Sequence, residues 1–200
     1  MHRLLIATNN PGKMREIRSL LQMPGLELVT PEEIGLELNV PETGKDYAEN
    51  AAIKGKAFAS ASGMHTLADD SGLEVEALGG LPGLHSARFI NRPGATDAER
   101  RQRLLENLKG HTRPWEARFR CAAALVTPQG EVELFEGTCA GEIIPQERGQ
   151  DGFGYDPVFL IPELGKTMAE LSMAEKNQIS HRARAIQAAQ PAIEKHLAKS

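Results

Sequence analysis

The first thirty residues alternate between a strand pattern and a helix pattern, and this alternation constrains the fold more than any other feature. A short unbroken apolar run, Leu4-Leu5-Ile6-Ala7, is typical of a strand buried on both faces. A turn-forming segment follows, and apolar residues then recur every three or four positions, as they do along a helix. Pro24-Gly25 ends that helix, and Leu26 to Thr30 is predicted to be a second strand. The chain therefore begins with a strand, a helix and a strand.

Similar patterns predict the elements of the remaining chain. The helices are expected from Asp46 to about Ser62, from Thr96 to about Lys109, and from near Ser180 onward. Pro191 lies within the last of these and should kink or restart it. Two long β-segments, Arg118 to Val126 and Glu131 to Ile144, flank a Pro-Gln-Gly turn and predict a hairpin. An α/β or α+β fold with a mixed sheet is expected.

The composition excludes several classes of protein. With 200 residues, 40% of them hydrophobic, the chain can form one domain, 1–200, with a substantial core. A net charge of −4 lacks the basic excess of a nucleic-acid binder, so no nucleic-acid partner is expected. No apolar run approaches a membrane span and no signal peptide is evident, so a cytoplasmic protein without a membrane partner is expected. Cys121 and Cys139 match no metal or redox spacing and are predicted to be buried free thiols.

The turn from Thr8 to Lys13 is the first candidate functional segment. It joins a strand to a helix N-terminus, where free backbone amides and the helix dipole attract anions. Gly12 permits close approach of a ligand to the backbone, and Lys13 adds a positive charge. The segment is not a Walker A motif, because it lacks the upstream glycine and Met14 follows the lysine. A plain turn with a surface lysine is the alternative.

Acidic residues form the second candidate segment, Asp69-Asp70-Ser71-Gly72, at the end of a predicted strand. Neighbouring side chains of a strand point to opposite faces, so both aspartates face one site only if the strand breaks here, and Ser71-Gly72 suggests that it does. Carboxylates gathered there would suit Mg²⁺, which prefers oxygen ligands. An acidic turn with internal hydrogen bonds is the alternative.

Three further segments combine polar and special residues. Asn50 and Lys54 share a helix face behind the loop that carries Glu42. A Gly/aromatic loop from Gly152 to Pro157 holds two of the nine aromatic residues and could stack on a base or anchor a loop. His181 and Arg182 follow Ser180 in a first helical turn, where their charges oppose the dipole, so they are expected to face a ligand rather than to stabilise the helix. A solvated basic turn is the alternative.

Together these segments resemble the inosine/xanthosine triphosphate pyrophosphatase family. The ordered set, which runs from residue 4 to residue 182, is highly specific although no single motif is decisive; it comprises Thr8-x-Asn10-x-Gly12-Lys13, Glu42-Thr43-Gly44, Glu49-Asn50-Ala51 with Lys54, Ala68-Asp69-Asp70-Ser71-Gly72-Leu73, Ser86-Ala87-Arg88, Phe153-Gly154-Tyr155-Asp156-Pro157 and Ser180-His181-Arg182. The resemblance implies an elongated α/β fold with a mixed sheet flanked by helices, and two lobes with a central cleft. It also implies a Mg²⁺-dependent homodimer that hydrolyses ITP, dITP and XTP to the monophosphate and pyrophosphate.

The resemblance also implies a role for each matching residue. Asp70 would be the general base, and Glu42 and Asp70 would lie at the Mg²⁺ with Asp69 close by. The remaining residues would bind the substrate. The phosphates would be held by Thr8, Asn9, Asn10, Pro11, Gly12, Lys13 and Lys54, and Ser71 would contact the nucleotide. The purine would be recognised by Phe153, Gly154, Tyr155, Asp156, Lys176, His181 and Arg182.

Two rival functions are alternatives to this one. A Maf-type pyrophosphatase acting on modified pyrimidine nucleotides is disfavoured by the Ser-His-Arg and Phe-Gly-Tyr-Asp segments. A non-catalytic sensor of purine triphosphates is disfavoured by the three acids Glu42, Asp69 and Asp70, because a sensor of a polyanion gains little from them. Pyrophosphate release with Mg²⁺ separates an enzyme from a sensor.

Overall fold

The structure, a computed structural model, describes residues 2–197. Its strands are β1 (His2–Ile6), β2 (Leu26–Val29), β3 (Thr66–Val75), β4 (Trp115–Val126), β5 (Val132–Ile143), β6 (Phe159–Ile161) and β7 (Lys166–Thr167). Its α-helices are α1 (Pro11–Leu20), α2 (Tyr47–Ser62), α3 (Asp97–Leu108), α4 (Met173–Ile179) and α5 (His181–Leu197). Within this part of the chain no helix combines the length and apolar character needed to cross a bilayer.

The seven strands form one mixed sheet in the order β2-β1-β3-β4-β5-β6-β7. Strand β1 pairs in parallel with both β2 and β3, as expected of strands joined by helical crossovers. Strand β6 pairs antiparallel with both β5 and β7. The sheet and its helices confirm the predicted mixed α/β class, and the neighbouring strands β4 and β5 confirm the predicted hairpin.

The chain divides into two compact units, and β3, β4 and β5 each contribute residues to both. The first unit contains residues 2–70, 121–137 and 181–197, and the second contains residues 71–120 and 138–180. Alternation along β1 builds the two cores of the first unit. Leu4 and Ile6 share one core with residues of α1 and α5, whereas Leu5 shares the other with Phe58 of α2. Helices therefore cover β1 on both faces.

A separate core holds the second unit together. Leu73 and Val75 of β3 pack in one cluster with Leu104 of α3. The same cluster contains Phe119 and Phe159, whose ring centroids lie 4.5 Å apart at an interplanar angle of 45°. This tilted arrangement suits the quadrupoles of an aromatic pair. The core fixes α3 against the strands and thereby places its first turn.

The structure contradicts one sequence prediction about element boundaries and excludes one of the two outcomes expected at Pro191. Strand β3 runs without a break through Asp69-Asp70-Ser71-Gly72, where a break was expected. Helix α5 is a single element that contains Pro191, so the proline does not restart it. Proline removes one helical hydrogen bond, but the buried Ala192 and Ile193 belong to the core of the first unit and hold the helix in place.

Candidate active site

The turn from Thr8 to Lys13 forms the N-terminus of α1, as predicted. Asn10 caps the helix: its Oδ1 accepts hydrogen bonds from the amides of Gly12 at 2.8 Å and Lys13 at 3.2 Å. Pro11 occupies the first helical position, where its missing amide costs nothing. The Asn10 amide in turn donates to Thr8 Oγ1 at 3.2 Å. The sequence folds here into a capped turn with Lys13 in its first helical turn.

Asp69 lies in an ion-pair network of the first unit. Its Oδ2 is 2.9 Å from Lys13 Nζ and 3.1 Å from Arg182 Nε. Burial alone raises the pKa of Asp69, but the charges of Lys13, Arg182 and Lys54 outweigh it and hold this pKa far below its ordinary range. The other carboxylate oxygen, Oδ1, is buried without a hydrogen-bond partner among the described residues. Asp69 is therefore an anion that positions two cations.

Arg182 is buried, with only 1% of its surface exposed. Besides Asp69, its guanidinium contacts Glu16 of α1 through Nη1 and Glu16 Oε2. Glu16 is itself 3% exposed. Two buried carboxylates thus stabilise the cation at the start of α5, which corrects the expectation that its charge is badly placed for stability.

Asp70 has different partners from Asp69. Asn50 Nδ2 of α2 donates to Asp70 Oδ2 at 2.9 Å, and Asn50 Oδ1 accepts from the Gly44 amide at 2.8 Å. A Cβ at Gly44 would lie 2.8 Å from both the Asn50 amide nitrogen and Oδ1, so only glycine permits this approach. Burial raises the pKa of Asp70, and nearby Glu42 adds to the rise while the Asn50 hydrogen bond opposes it. The Glu-Thr-Gly loop thus anchors the side chain that positions Asp70.

Glu42 and Lys54 form an ion pair beside Asp70. Lys54 Nζ lies 3.2 Å from Glu42 Oε1, and both side chains are partly exposed. The Lys54 charge lowers the pKa of both Asp69 and Asp70, as does that of Lys13. The first unit therefore brings together three acids and two lysines that the sequence had scattered over residues 13–70.

The Gly/aromatic loop belongs to the second unit. Asp156 Oδ2 accepts a hydrogen bond from the Phe153 amide at 2.9 Å and lies 2.6 Å from Lys176 Nζ. Asp156 and Lys176 are both buried, and the ammonium lies 5.3 Å from the centroid of the Phe153 ring. A Cβ at Gly152, whose φ is +82°, would lie 2.2 Å from Asp156 Oδ2. The loop motif and Lys176 thus form one connected cluster, in which the Asp156 carboxylate links the Phe153 amide to the Lys176 ammonium and the ammonium lies near the Phe153 ring.

Tyr155 and Ser71 are also residues of the second unit. The Tyr155 hydroxyl donates to the Ser86 carbonyl at 2.9 Å, and burial raises the pKa of Tyr155. Ser86 Oγ donates to the Gly83 carbonyl and accepts from the Leu73 amide. Tyr155 therefore serves as a core anchor for its loop. Ser71 lies in β3 and is partly exposed.

His181 begins α5 and is buried in the first unit. Gly137 of β5 lies against this helix start: a Cβ there would be 2.1 Å from the His181 carbonyl oxygen and 2.7 Å from the Ala185 amide nitrogen. Only glycine lets the helix backbone approach the strand so closely. Gly137 thus sets the place of His181 and Arg182.

Sequence reasoning missed several residues that shape the site. Gly137, a glycine inside a β-pattern, was a usable signal because strand glycines often mark close backbone approach. Glu16 also gave a usable signal, because a charged residue on the apolar face of α1 requires a partner when that face is buried. Asp97 and Arg101, which contact Gly154, gave no signal beyond their place in a charged helix.

The carboxylates were also predicted to hold a metal ion. Among residues 2–197 no group of three His, Cys, Asp or Glu side chains is arranged to hold one. Mg²⁺ needs no such cage, because it is usually bound through one or two carboxylates, waters and substrate phosphates. Glu42 and Asp70 fit that requirement. Glu42 lies close enough to Asp70 for its negative charge to raise the pKa of Asp70, and a bound cation would relieve the repulsion between the two carboxylates.

Comparison with known proteins places the chain in a family. A sequence model of the Ham1 family matches residues 4–192. The dITP/XTP pyrophosphatase of Geobacillus kaustophilus is 47% identical over 189 residues, covering 93% of this chain and 91% of that protein. The dITP/XTP pyrophosphatase of Bacillus licheniformis is 43% identical over 187 residues, with 93% and 95% coverage.

Solved structures agree with the sequence comparison. A HAM1 protein from Coxiella burnetii superposes with a TM-score of 0.86 at 36% identity, covering 98% of this chain and all of that one. The Ham1 protein of Staphylococcus aureus gives 0.83 at 40% identity, with 97% and 99% coverage. These matches confirm the resemblance seen in the motifs. The chain is a member of the Ham1 family.

Proposed function

We propose that this chain hydrolyses the non-standard purine nucleoside triphosphates dITP, ITP and XTP to the monophosphate and pyrophosphate, and so removes deaminated purines from the nucleotide pool. The relatives named dITP/XTP pyrophosphatase support the activity. The observation that carries it is the arrangement in the first unit, where Lys13 and Lys54 lie within electrostatic reach of both Asp69 and Asp70. The first unit thus holds both cations that can bind a polyphosphate and a carboxylate that can take a proton from the attacking water.

Asp70 is the general base of the proposed reaction. It takes a proton from the water that attacks the α-phosphorus, and the bond to the bridging oxygen of pyrophosphate breaks. Asn50 holds this carboxylate through a 2.9 Å hydrogen bond, which fixes its direction. A positioned base of this kind contributes on the order of 10²–10⁴-fold to the rate.

Lys13, Lys54 and the turn from residue 8 to residue 13 bind the triphosphate. The amides of Gly12 and Lys13 already donate to Asn10, so the Lys13 side chain is the main anion donor of this helix start. Asp69 holds that ammonium at 2.9 Å and keeps it in place before substrate arrives. This pre-organisation lowers the entropy cost of binding.

Mg²⁺ is the proposed cofactor, held by Glu42 and Asp70. When bound, it neutralises phosphate charge and polarises the phosphoryl group toward attack. Asp69 was predicted to lie close to the metal; its buried Oδ1, which has no hydrogen-bond partner in the described chain, is the atom that suits this role.

The purine is the part of the substrate that the remaining residues recognise. Phe153 stacks on the base, Gly154, Tyr155 and Asp156 complete that wall, and Ser71 contacts the nucleotide. Lys176, His181 and Arg182 offer donors to the oxygen at C6 of hypoxanthine and xanthine. Adenine presents an amino group there, and donors that face it lose their partner, which costs about 1–3 kcal/mol each.

The family resemblance supports three further proposals: residues 1–200 act as one catalytic domain, the active form is a homodimer, and the enzyme works on the cytoplasmic nucleotide pool. Size-exclusion chromatography with light scattering tests the dimer. A monomer mass at working concentration would reject it.

The decisive assay measures pyrophosphate release from ITP, dITP, XTP, GTP and ATP with Mg²⁺. We expect the inosine and xanthosine substrates to be preferred and Asp70→Asn to be inactive. Binding of ITP without turnover would favour a sensor, and turnover of modified pyrimidine nucleotides alone would favour a Maf-type enzyme. Either result would reject the proposal.

A further inference from the structure

Helix α3 holds the loop that carries Phe153. Asp97, the first residue of α3, accepts a hydrogen bond at Oδ2 from the Gly154 amide at 2.8 Å. One turn later, Arg101 Nη1 donates to the Gly154 carbonyl at 2.8 Å. The helix therefore binds the peptide groups on both sides of Gly154, and one of these groups is the peptide that joins Phe153 to Gly154.

Both of these side chains are themselves fixed by further charged partners. Arg101 forms a bidentate pair with Glu147, with Nε and Nη2 at 2.9 and 2.8 Å from the two carboxylate oxygens. Asp97 Oδ1 lies 2.6 Å from Arg100 Nη2. Bidentate charged pairs are short and directional, so the donor and acceptor facing Gly154 have restricted positions.

Gly154 needs such support because glycine restricts its own backbone least of all residues. Its φ is +60°, and a Cβ there would meet nothing within 4 Å, so the side of the residue where a side chain would stand is open. The neighbours are held in other ways: the Phe153 amide by Asp156, and the Tyr155 hydroxyl by the Ser86 carbonyl. Without α3, the weakest point of the loop would be the residue next to the aromatic ring.

We propose that Asp97 and Arg101 are positioning residues for base recognition, which hold the Gly154 peptides so that the Phe153 ring is pre-set to stack on a purine. The inference rests on the proposed function and extends it to a helix outside the family motifs quoted above. Its consequence is kinetic: loosening the loop weakens substrate binding, so KM rises while kcat changes little. Pre-set contacts act mainly by lowering the cost of ordering on binding.

A double-mutant cycle tests the proposal. Steady-state kinetics with ITP and Mg²⁺ would compare the wild-type chain with Asp97→Ala, Phe153→Ala and the double variant, and a second cycle would use Arg101→Ala. Arg103→Ala is the matched control, because Arg103 is an exposed arginine of the same helix. Asp97→Asn is the conservative variant, since its amide oxygen can still accept from Gly154. Melting curves establish that each variant is folded.

We expect Asp97→Ala to raise KM about fivefold or more with kcat within about twofold, given the size of base stacking. Asp97→Asn should recover most of this loss, and Arg103→Ala should show none. In the Phe153→Ala background, the effect of Asp97→Ala or Arg101→Ala should shrink to less than about twofold. Equal losses in both backgrounds, or no loss, would overturn the positioning role. A folded wild-type chain that releases no pyrophosphate from ITP would instead overturn the proposed function, and the positioning role with it.

Discussion

Asp69 and Asp70 are consecutive residues of one unbroken strand, and their carboxylates bond to different partners. Asp69 binds Lys13 and Arg182, whereas Asp70 accepts a hydrogen bond from Asn50. Side chains of neighbouring strand residues point to opposite faces, so the two carboxylates bond to side chains from different helices. Their pKa values also move in opposite directions, downward for Asp69 and upward for Asp70. Asp69 is thus suited to hold cations and Asp70 to accept a proton.

The first prediction follows for catalysis. Asp70→Asn keeps the size of the side chain and can still meet Asn50, but it cannot take a proton from water. We expect kcat for ITP to fall by about 10²–10⁴-fold with little change in melting temperature. Asp151→Asn, at an exposed position, is the control. A folded Asp70→Asn variant that keeps more than about a tenth of the wild-type kcat would exclude Asp70 as the base.

Lys13 gives the second prediction. Lys13→Ala should weaken the binding of ITP far more than the binding of inosine, because only the triphosphate meets the ammonium. The expected loss for the triphosphate is at least about tenfold in Kd, or 1.4 kcal/mol. Calorimetry with both ligands measures it, and Arg15→Ala, an exposed cation of the same helix, is the control. Equal losses for the two ligands would place Lys13 away from the phosphates.

Arg182 gives the third prediction, which concerns stability. Arg182→Ala leaves the buried carboxylates of Asp69 and Glu16 without this cation, so the free energy of unfolding should fall by about 3–5 kcal/mol. From the helix dipole alone, little change or even a gain would be expected. Denaturant unfolding decides, with Arg184→Ala as the exposed control in the same helix. A stability loss below about 1 kcal/mol would contradict the ion-pair network.

For base selection, a folded Arg182 variant is also informative. If Arg182→Ala is folded in the assay, the ratio of kcat/KM for ITP to that for ATP should shrink about tenfold. An unchanged ratio would restrict Arg182 to its structural role. Glu16→Gln serves as the comparison, because it weakens the ion pair but keeps the arginine.

Gly137 gives the fourth prediction. Gly137→Ala would place a Cβ 2.1 Å from the His181 carbonyl oxygen, so the start of α5 must move or the chain loses stability. We expect a loss of about 1–3 kcal/mol. Gly130→Ala separates crowding from backbone strain: its φ is +88°, yet a Cβ there meets nothing within 4 Å. A smaller loss at Gly137 than at Gly130 would argue against the close approach.

The thiols give the fifth prediction. Cys121 is buried beside Asp69, and burial together with that negative charge raises the pKa of its thiol to about 12. The thiolate is the reactive form, so the native protein should not react with a disulfide reagent at pH 8. Both cysteines are buried, and both should react after unfolding in guanidinium. Fast labelling of native Cys121 would contradict this environment.

Local sequence signals predicted much of the architecture. The apolar run at residues 4–7 predicted the doubly covered strand β1, and the pattern from Thr96 predicted α3, which begins in the structure with a capping box of Thr96 and Glu99. The turn from Thr8 to Lys13 could be placed because strand, cap and helix are contiguous in sequence. The same ordered motifs indicated the family.

Contacts between distant residues could not be predicted in this way. Asp69 and Arg182 are 113 positions apart, and no local pattern shows that the arginine is buried between two acids. Local signals likewise gave no reason to expect β3 to continue through Asp70, because Ser71-Gly72 is typical of a strand break. The bond from Asp97 to Gly154 spans 57 positions and is equally invisible to periodicity.

The path of the chain has a consequence for dissecting the enzyme. It passes from one unit to the other four times, after residues 70, 120, 137 and 180, and three of these passages lie inside strands of the sheet. Neither unit is a continuous stretch of polypeptide, so no single cut yields an intact half. Proteolytic fragments or chains expressed in two pieces should recover a fold only when the pieces are recombined. The first unit includes α5, so it cannot be complete on the ribosome before α5 has emerged.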